Sequence, residues 1–129
     1  MVCLDSDIII DVLRNEKKIV EKIMRLRETI LLTTTSINTF ELFKGSFYTR
    51  DEEEKSGIMK FLIGIKLLSF NFKASKKAAE IFEILRNKGK SMELADIMIA
   101  SIAITNNESL LTKNTRHFSK IPELKLESF

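Results

Sequence analysis

The chain opens with Val2-Cys3-Leu4-Asp5-Ser6-Asp7-Ile8-Ile9-Ile10, in which an apolar segment runs directly into three polar residues. Val2–Leu4 is too apolar for an exposed edge and predicts a short buried strand. Asp5, Ser6 and Asp7 have side chains that cap helix N-termini, so they predict a helix through Ile8–Leu13. A buried strand that leads at once into a helix is the unit from which alternating α/β folds are built.

The same alternation continues along the chain. Further helices are predicted from about Lys17 to Arg27, from Ser36 to between Gly45 and Tyr48, from Asp51 through Ile63, from Ala74 to Asn87 and from Met92 to Thr105. Further strands are predicted at Thr29–Thr33, Leu67–Phe70, Ser109–Thr112 and Leu124–Leu126. We therefore predict one α/β domain over residues 1–129, with a parallel sheet of about five strands between two layers of helices.

Composition narrows the class of protein. The 129 residues are 44% hydrophobic and 30% charged, which is typical of one globular domain. No apolar segment reaches the roughly 18 residues of a membrane span, and no signal peptide is expected. The only cysteine, Cys3, lies in a predicted buried strand, which excludes a disulfide scaffold and favours a cytoplasmic location. The net charge of +3 permits nucleic-acid binding.

Three acidic residues interrupt apolar segments. Asp5 ends the first strand, Glu41 lies between Phe40 and Leu42, and Asp96 lies inside the most hydrophobic predicted helix. A carboxylate held against apolar surface is costly unless something pairs with it. Convergence of the three acids on a divalent cation explains their positions together, and it points to metal-dependent phosphodiester chemistry.

The predicted sheet places Asp5 and the residues that follow the fourth strand at the same edge. Asp5 ends the first strand, and Thr112, Asn114 and His117 follow the fourth strand. In an open parallel sheet, ligands bind at the carboxyl ends of the strands near the switch point. Mg²⁺ and Mn²⁺ prefer oxygen ligands and keep several waters, so a few carboxylates and a substrate phosphate complete their shell.

Each residue also has a structural interpretation. Asp5, Ser6 and Asp7 are suitable helix caps in their own right. Glu41 is spaced to pair with Lys44 on a helix surface. His117, beside Phe118, is typical of a structural histidine at the protein surface.

Four segments resemble motifs of the PIN-domain ribonucleases, specifically the VapC type of toxin. They are Leu4-Asp5-Ser6-Asp7-Ile8-Ile9-Ile10, Thr35-Ser36-Ile37-Asn38-Thr39-Phe40-Glu41-Leu42, the segment from Gly89 to Ala100, and the segment from Leu111 to Phe118. Each motif alone is weak, but four in order at suitable spacing are specific. The resemblance covers essentially the whole chain.

The resemblance implies a Mg²⁺- or Mn²⁺-dependent endoribonuclease, usually a homodimer, whose partner is a small antitoxin protein. Asp5, Glu41 and Asp96 take the family's three main acidic roles, as catalytic residues and metal ligands. Ser6, Asp7, Thr112, Asn114 and His117 are then expected to support the metal or to contact the RNA substrate. Many family members have a fourth acid near Asn114 or at the position of His117, and its absence here predicts one firmly bound ion.

Two other functions fit parts of the sequence. Asp5-Ser6-Asp7 after the first strand also suits a phosphatase of the haloacid-dehalogenase type, in which one aspartate is the nucleophile. The missing fourth acid would suit a PIN-like module that binds RNA or protein without catalysis. The chain has no paired late aspartates after a glycine and is short for a cap domain, which argues against the phosphatase. The three retained acids argue against a module without catalysis.

Overall fold

The computed structural model describes residues 1–128 and contains a four-stranded parallel sheet between layers of helices. The strands are β1 (Val2–Leu4), β2 (Leu32–Thr35), β3 (Lys66–Leu68) and β4 (Ser109–Leu111). The helices are α1 (Ser6–Leu13), α2 (Lys17–Thr29), α3 (Ser36–Thr49), α4 (Glu52–Leu62), α5 (Phe72–Asn87), α6 (Leu94–Thr105) and α7 (Thr115–Phe118). The predicted α/β fold with a helix-covered parallel sheet is confirmed.

The strand order β3-β2-β1-β4 places β1 inside the sheet, and every pairing is parallel. After β1 the chain adds β2 and then β3 on one side, and later crosses to add β4 on the other side. This change of direction opens a crevice at the carboxyl ends of β1 and β4. The residues that follow these two strands are therefore placed to bind a ligand.

Each face of the sheet packs against its own set of helices. On one face, Cys3 and Leu110 lie in a core with residues of α5 and α6. On the other face, Leu4 and Leu111 lie in a core with residues of α1, α2, α3 and α4. Side chains alternate between the two faces along a strand, so both faces of β1 and β4 are apolar because both are covered.

Helix α6 is buried on most of its surface. Its buried residues are Ile97, Ile99, Ala100, Ser101, Ile102 and Ala103. Since α6 leads into the parallel strand β4, it begins at the carboxyl edge of the sheet. Asp96, in the first turn of α6, therefore lies at the same edge as Asp5.

The structure differs most from the predicted elements in three places, and the ends of other elements are shifted by one or two residues. Helix α2 continues to Thr29, so β2 begins at Leu32. It ends at Thr35, two residues after the predicted end. The predicted fifth strand at Leu124–Leu126 is reduced to one bridge between Leu110 and Leu126. The backbone of this segment pairs with β4 at that point, and the pairing is too short to form a strand. Helix α7 was not predicted. Between residues 1 and 128, no helix has both the length and the apolar character to cross a membrane.

Candidate active site

Asp5 is the buried carboxylate at the carboxyl end of β1, with only 8% of its surface exposed. Its Oδ1 accepts hydrogen bonds from the Ser6 backbone N–H (2.8 Å) and from Asn38 Nδ2 (3.0 Å). Its Oδ2 accepts from Thr112 Oγ1 (2.7 Å) at the end of β4. The structural reading of Asp5 as a helix cap is correct, but capping uses only one of these three bonds. The remaining two fix the carboxylate between β4 and α3.

Glu41 reaches the same site from α3. Its Oε1 accepts a hydrogen bond from Ser6 Oγ (3.0 Å), which joins α3 to the first turn of α1. Lys44, the surface partner considered for Glu41, instead places its ammonium 5.7 Å from the centre of the Phe40 ring. Glu41 therefore points toward Asp5 and Ser6 and is more than a surface residue.

Asp7 lies behind Asp5, in the first turn of α1. Its Oδ2 accepts a hydrogen bond from the Lys113 backbone N–H (3.0 Å) and lies 3.3 Å from Thr112 Oγ1, whose single hydrogen has a shorter acceptor in Asp5 Oδ2. Its Oδ1 is buried and has no hydrogen-bond partner among the described residues. Burial is the main cause that raises the pKa of Asp7 from 3.8 to about 6, and the nearby Asp5 charge adds to it.

Asp96 pairs with the only histidine of the chain. His117 Nε2 lies 2.9 Å from Asp96 Oδ2, and the imidazole packs edge-on against the Phe118 ring. His117 is thus a neighbour of one of the three acids, although the sequence alone also allowed a purely structural role. Glu93, one turn earlier, is exposed, which limits its repulsion of Asp96.

These side chains surround one open cleft of about 350 Å³. Its lining residues are Asp5, Ser6, Asp7, Ile10, Glu41, Leu42, Asp96 and Asn114. The structure therefore brings all three predicted acids to one cavity. Two other predicted residues stand behind it: Thr112 is fully buried under Asp5, and His117 contacts Asp96 without lining the cleft.

The three acids influence one another electrostatically. Burial raises the pKa of Glu41, the Ser6 hydrogen bond lowers it, and the charges of Asp5 and Asp96 raise it further. Burial also raises the pKa of Asp96, with a contribution from Asp5, while His117 acts in the opposite direction. Negative charges crowded into a partly buried cleft are stabilised by a cation placed among them.

The oxygen-rich cleft suits a hard divalent cation. Its donors are carboxylates, a serine hydroxyl and an asparagine amide, and the buried Asp7 Oδ1 has no partner within residues 1–128. Over residues 1–128, however, no three acidic, histidine or cysteine side chains are close enough together to ligate one ion unaided. Mg²⁺ commonly binds through one or two carboxylates while keeping several waters, so this donor set fits such an ion.

Two residues that contact acidic side chains in or beside the cleft were not predicted from the sequence. Asn38 is fully buried and donates to Asp5 and Ser6. Lys113 supplies its backbone N–H to Asp7, and its ammonium contacts Asp11 (2.7 Å). Asn38 could have been found from its spacing, because it lies one turn before Leu42 on the buried side of α3, where a polar residue needs a partner.

The profile of the PIN-domain family matches residues 2–124. The chain belongs to the PIN-domain family. Ribonuclease VapC from Rickettsia bellii is 32% identical over 90 residues, which cover 67% of each chain. Ribonuclease VapC1 from Haemophilus influenzae strain R2866 is 27% identical over 128 residues, which cover 98% of this chain and 96% of the relative.

A solved structure shows the same PIN architecture. It is the crystal structure of VapBC2 from Rickettsia felis bound to a DNA fragment from its promoter, with a TM-score of 0.93 and 26% identity. The match covers 100% of this chain and 99% of that one. The resemblance inferred from four sequence motifs is confirmed, and it assigns Asp5-Ser6-Asp7 to a PIN domain instead of a haloacid-dehalogenase phosphatase.

Proposed function

We propose that this PIN domain is an endoribonuclease that cleaves RNA phosphodiester bonds and is the toxin of a toxin–antitoxin pair. The observation that carries the proposal is the convergence of Asp5, Glu41 and Asp96 on one cleft at the switch point of the sheet. Relatives named Ribonuclease VapC support the reaction, and the VapBC structure supports the pairing. The domain proposed to act is residues 1–129, and a cytoplasmic location gives it access to RNA.

Asp5 and Asp96 are the residues that would hold Mg²⁺ or Mn²⁺, directly or through water, with Glu41 as a third oxygen donor. When bound, the ion would polarise the phosphoryl oxygen and stabilise the leaving oxygen. Because neither Asn114 nor His117 is acidic, the cleft offers fewer anionic ligands for a second ion. One firmly bound ion is therefore the arrangement that we propose.

Residues in and around the cleft would activate the attacking water, position the acids and contact the phosphate. Glu41 would orient or deprotonate the attacking water, because its carboxylate lines the cleft together with Asp5 and Asp96. Ser6 holds Glu41 by a hydrogen bond. Asn114, exposed at the rim of the cleft, is available to contact the scissile phosphate. Thr112 holds Asp5 by a hydrogen bond to its Oδ2, and Asp7 lines the cleft beside them.

A small antitoxin is the proposed protein partner. A second groove of about 630 Å³ shares Ile10 and Leu42 with the cleft, so an extended segment could pass from one cavity to the other. Its lining combines apolar residues with charged residues of both signs, which are Arg14, Asp51, Glu53, Glu54 and Lys60. A homodimer is also proposed, with the exposed Phe47 and Tyr48 of α3 as candidate contacts; Phe61, also apolar, is buried.

Cleavage of a pooled tRNA and rRNA sample tests the proposal, since proteins usually recognise RNA in single-stranded loops. Asp5→Asn should reduce cleavage to the level of a reaction without protein. Asparagine caps helices as well as aspartate does, so this variant should remain folded. Glu83→Gln changes an exposed acid on α5 and should cleave like the wild type. Undiminished cleavage by Asp5→Asn would contradict the proposal.

A further inference from the structure

Asn38 lies on the buried side of α3, outside the lining of the cleft, and uses both ends of its amide. Nδ2 donates to Asp5 Oδ1 (3.0 Å) and Ser6 Oγ (2.9 Å). Oδ1 accepts from Thr35 Oγ1 (2.7 Å) and from the Thr35 backbone N–H (3.3 Å). Two donors and one acceptor oxygen are all that an asparagine side chain has, so its hydrogen-bonding capacity is fully engaged.

The partners of Asn38 fix the direction of its amide. An ionised Asp5 carboxylate can only accept, so the NH₂ end must face it. The Thr35 backbone N–H can only donate, so the oxygen must face β2. A rotation of the amide by 180° would set oxygen against carboxylate and N–H against N–H. Both ends of the side chain therefore enforce one orientation.

The network continues from Asn38 through Ser6 to Glu41. Ser6 Oγ accepts from Asn38, and a hydroxyl has a single hydrogen, which it donates to Glu41 Oε1 (3.0 Å). Asn38 is therefore bonded directly to Asp5 and, through one hydroxyl, to Glu41. These two acids belong to different elements, and Asn38 sets the position of both.

We propose that Asn38 is a positioning residue, which holds Asp5 and Glu41 in the arrangement needed for metal binding and cleavage. This inference rests on the proposed nuclease function. Without Asn38, Asp5 would keep two of its three hydrogen-bond donors, and the Ser6 hydroxyl would be free to turn away from Glu41. The loss of such a supporting partner typically weakens metal affinity or activity by about 10- to 100-fold.

The test compares Asn38→Leu, which has similar volume but no polar atoms, with Asn71→Ala. Asn71 caps α5 through its hydrogen bond with the Ala74 N–H and makes no contact with the acids. Mn²⁺ affinity is measured by calorimetry without RNA, kcat and KM by RNA cleavage, and Tm by thermal unfolding. Asn38→Leu should weaken Mn²⁺ binding about 10- to 100-fold and lower kcat more than it changes KM. Asn71→Ala should lower Tm and leave Mn²⁺ affinity and kcat unchanged.

A second pair of variants separates positioning from folding. Asn38→Thr has one O–H donor in place of two N–H donors, so its loss of Mn²⁺ affinity should lie between those of the wild type and Asn38→Leu. If Asn38→Leu does not fold, Asn38→Thr alone tests the positioning role. Ser6→Ala combined with Asn38→Leu should lower kcat less than the product of the single effects, because both act on Glu41.

Folded Asn38 variants with wild-type Mn²⁺ affinity and kcat would overturn the role of Asn38 while leaving the nuclease proposal intact. A wild-type protein that neither binds Mn²⁺ nor cleaves RNA would overturn the nuclease proposal, and the role of Asn38 with it.

Discussion

At the scale of single residues, Asp7 bears the least compensated charge near the cleft. One of its oxygens is buried and has no partner in the part of the chain that the structure describes, and burial raises its pKa from 3.8 to about 6. The folded state therefore favours the protonated form of Asp7. The stability that this group contributes is fully present below about pH 4 and is lost as the pH rises through 6.

Asp7→Asn should remove this dependence, because asparagine keeps an acceptor oxygen for the Lys113 N–H and carries no charge. In metal-free buffer, we expect the variant to have a higher Tm than the wild type at pH 7, with a difference that shrinks toward pH 4. Glu83→Gln serves as a control of opposite sign, since the Arg86 hydrogen bond lowers the pKa of Glu83. If the difference in Tm between Asp7→Asn and the wild type stays constant from pH 4 to pH 7, the raised pKa of Asp7 is contradicted.

The three acids could be predicted from the sequence because each breaks an apolar segment, and that signal is local. Asn38 could not be identified as easily. Its partner Asp5 is 33 residues away, so its role depends on the pairing of β1 with β2. His117 could be recognised as a candidate, but its contact with Asp96 again depends on how α6 and α7 pack.

At the scale of elements, β2 shows why a strand boundary was misplaced. Its residues Thr33, Thr34 and Thr35 look polar, yet all three are fully buried. Thr34 Oγ1 donates to the Leu4 carbonyl (2.8 Å), and Thr33 Oγ1 donates to Glu108 (2.6 Å). A hydroxyl that finds a buried acceptor can lie inside a sheet, and these acceptors are not visible in the local sequence.

Helix α6 was predicted well because its apolar character is continuous. A substitution in this helix tests the packing of the core. Ile99 is fully buried in α6, in the core shared with α5 and the sheet. Ile99→Ala should reduce the free energy of unfolding by about 2 to 5 kcal/mol, since it removes packed atoms and leaves a cavity. Ile63→Ala, at a position that is 74% exposed, should change it by no more than about 0.5 kcal/mol. Denaturant titration measures both, and equal effects would contradict the described core.

At the scale of the whole molecule, the cleft that contains the three acids is a consequence of strand order. The sequence predicted parallel strands and helices on both faces, but it did not define the order β3-β2-β1-β4. That order depends on pairings between distant segments, such as Cys3 with Leu110. It places the residues after β1 and β4 side by side, and it allows α3 and α6 to bring Glu41 and Asp96 to Asp5.

The most direct test of the account is calorimetric titration of Mn²⁺ into the wild type and Asp96→Asn, with RNA cleavage measured on the same samples. We expect that the wild type binds Mn²⁺ and cleaves RNA only with the metal present, that Asp96→Asn loses both properties, and that Glu83→Gln keeps both. A folded wild-type protein that neither binds Mn²⁺ nor cleaves RNA would contradict the account. The acids would then be structural, and the PIN domain would act by binding RNA or a protein partner.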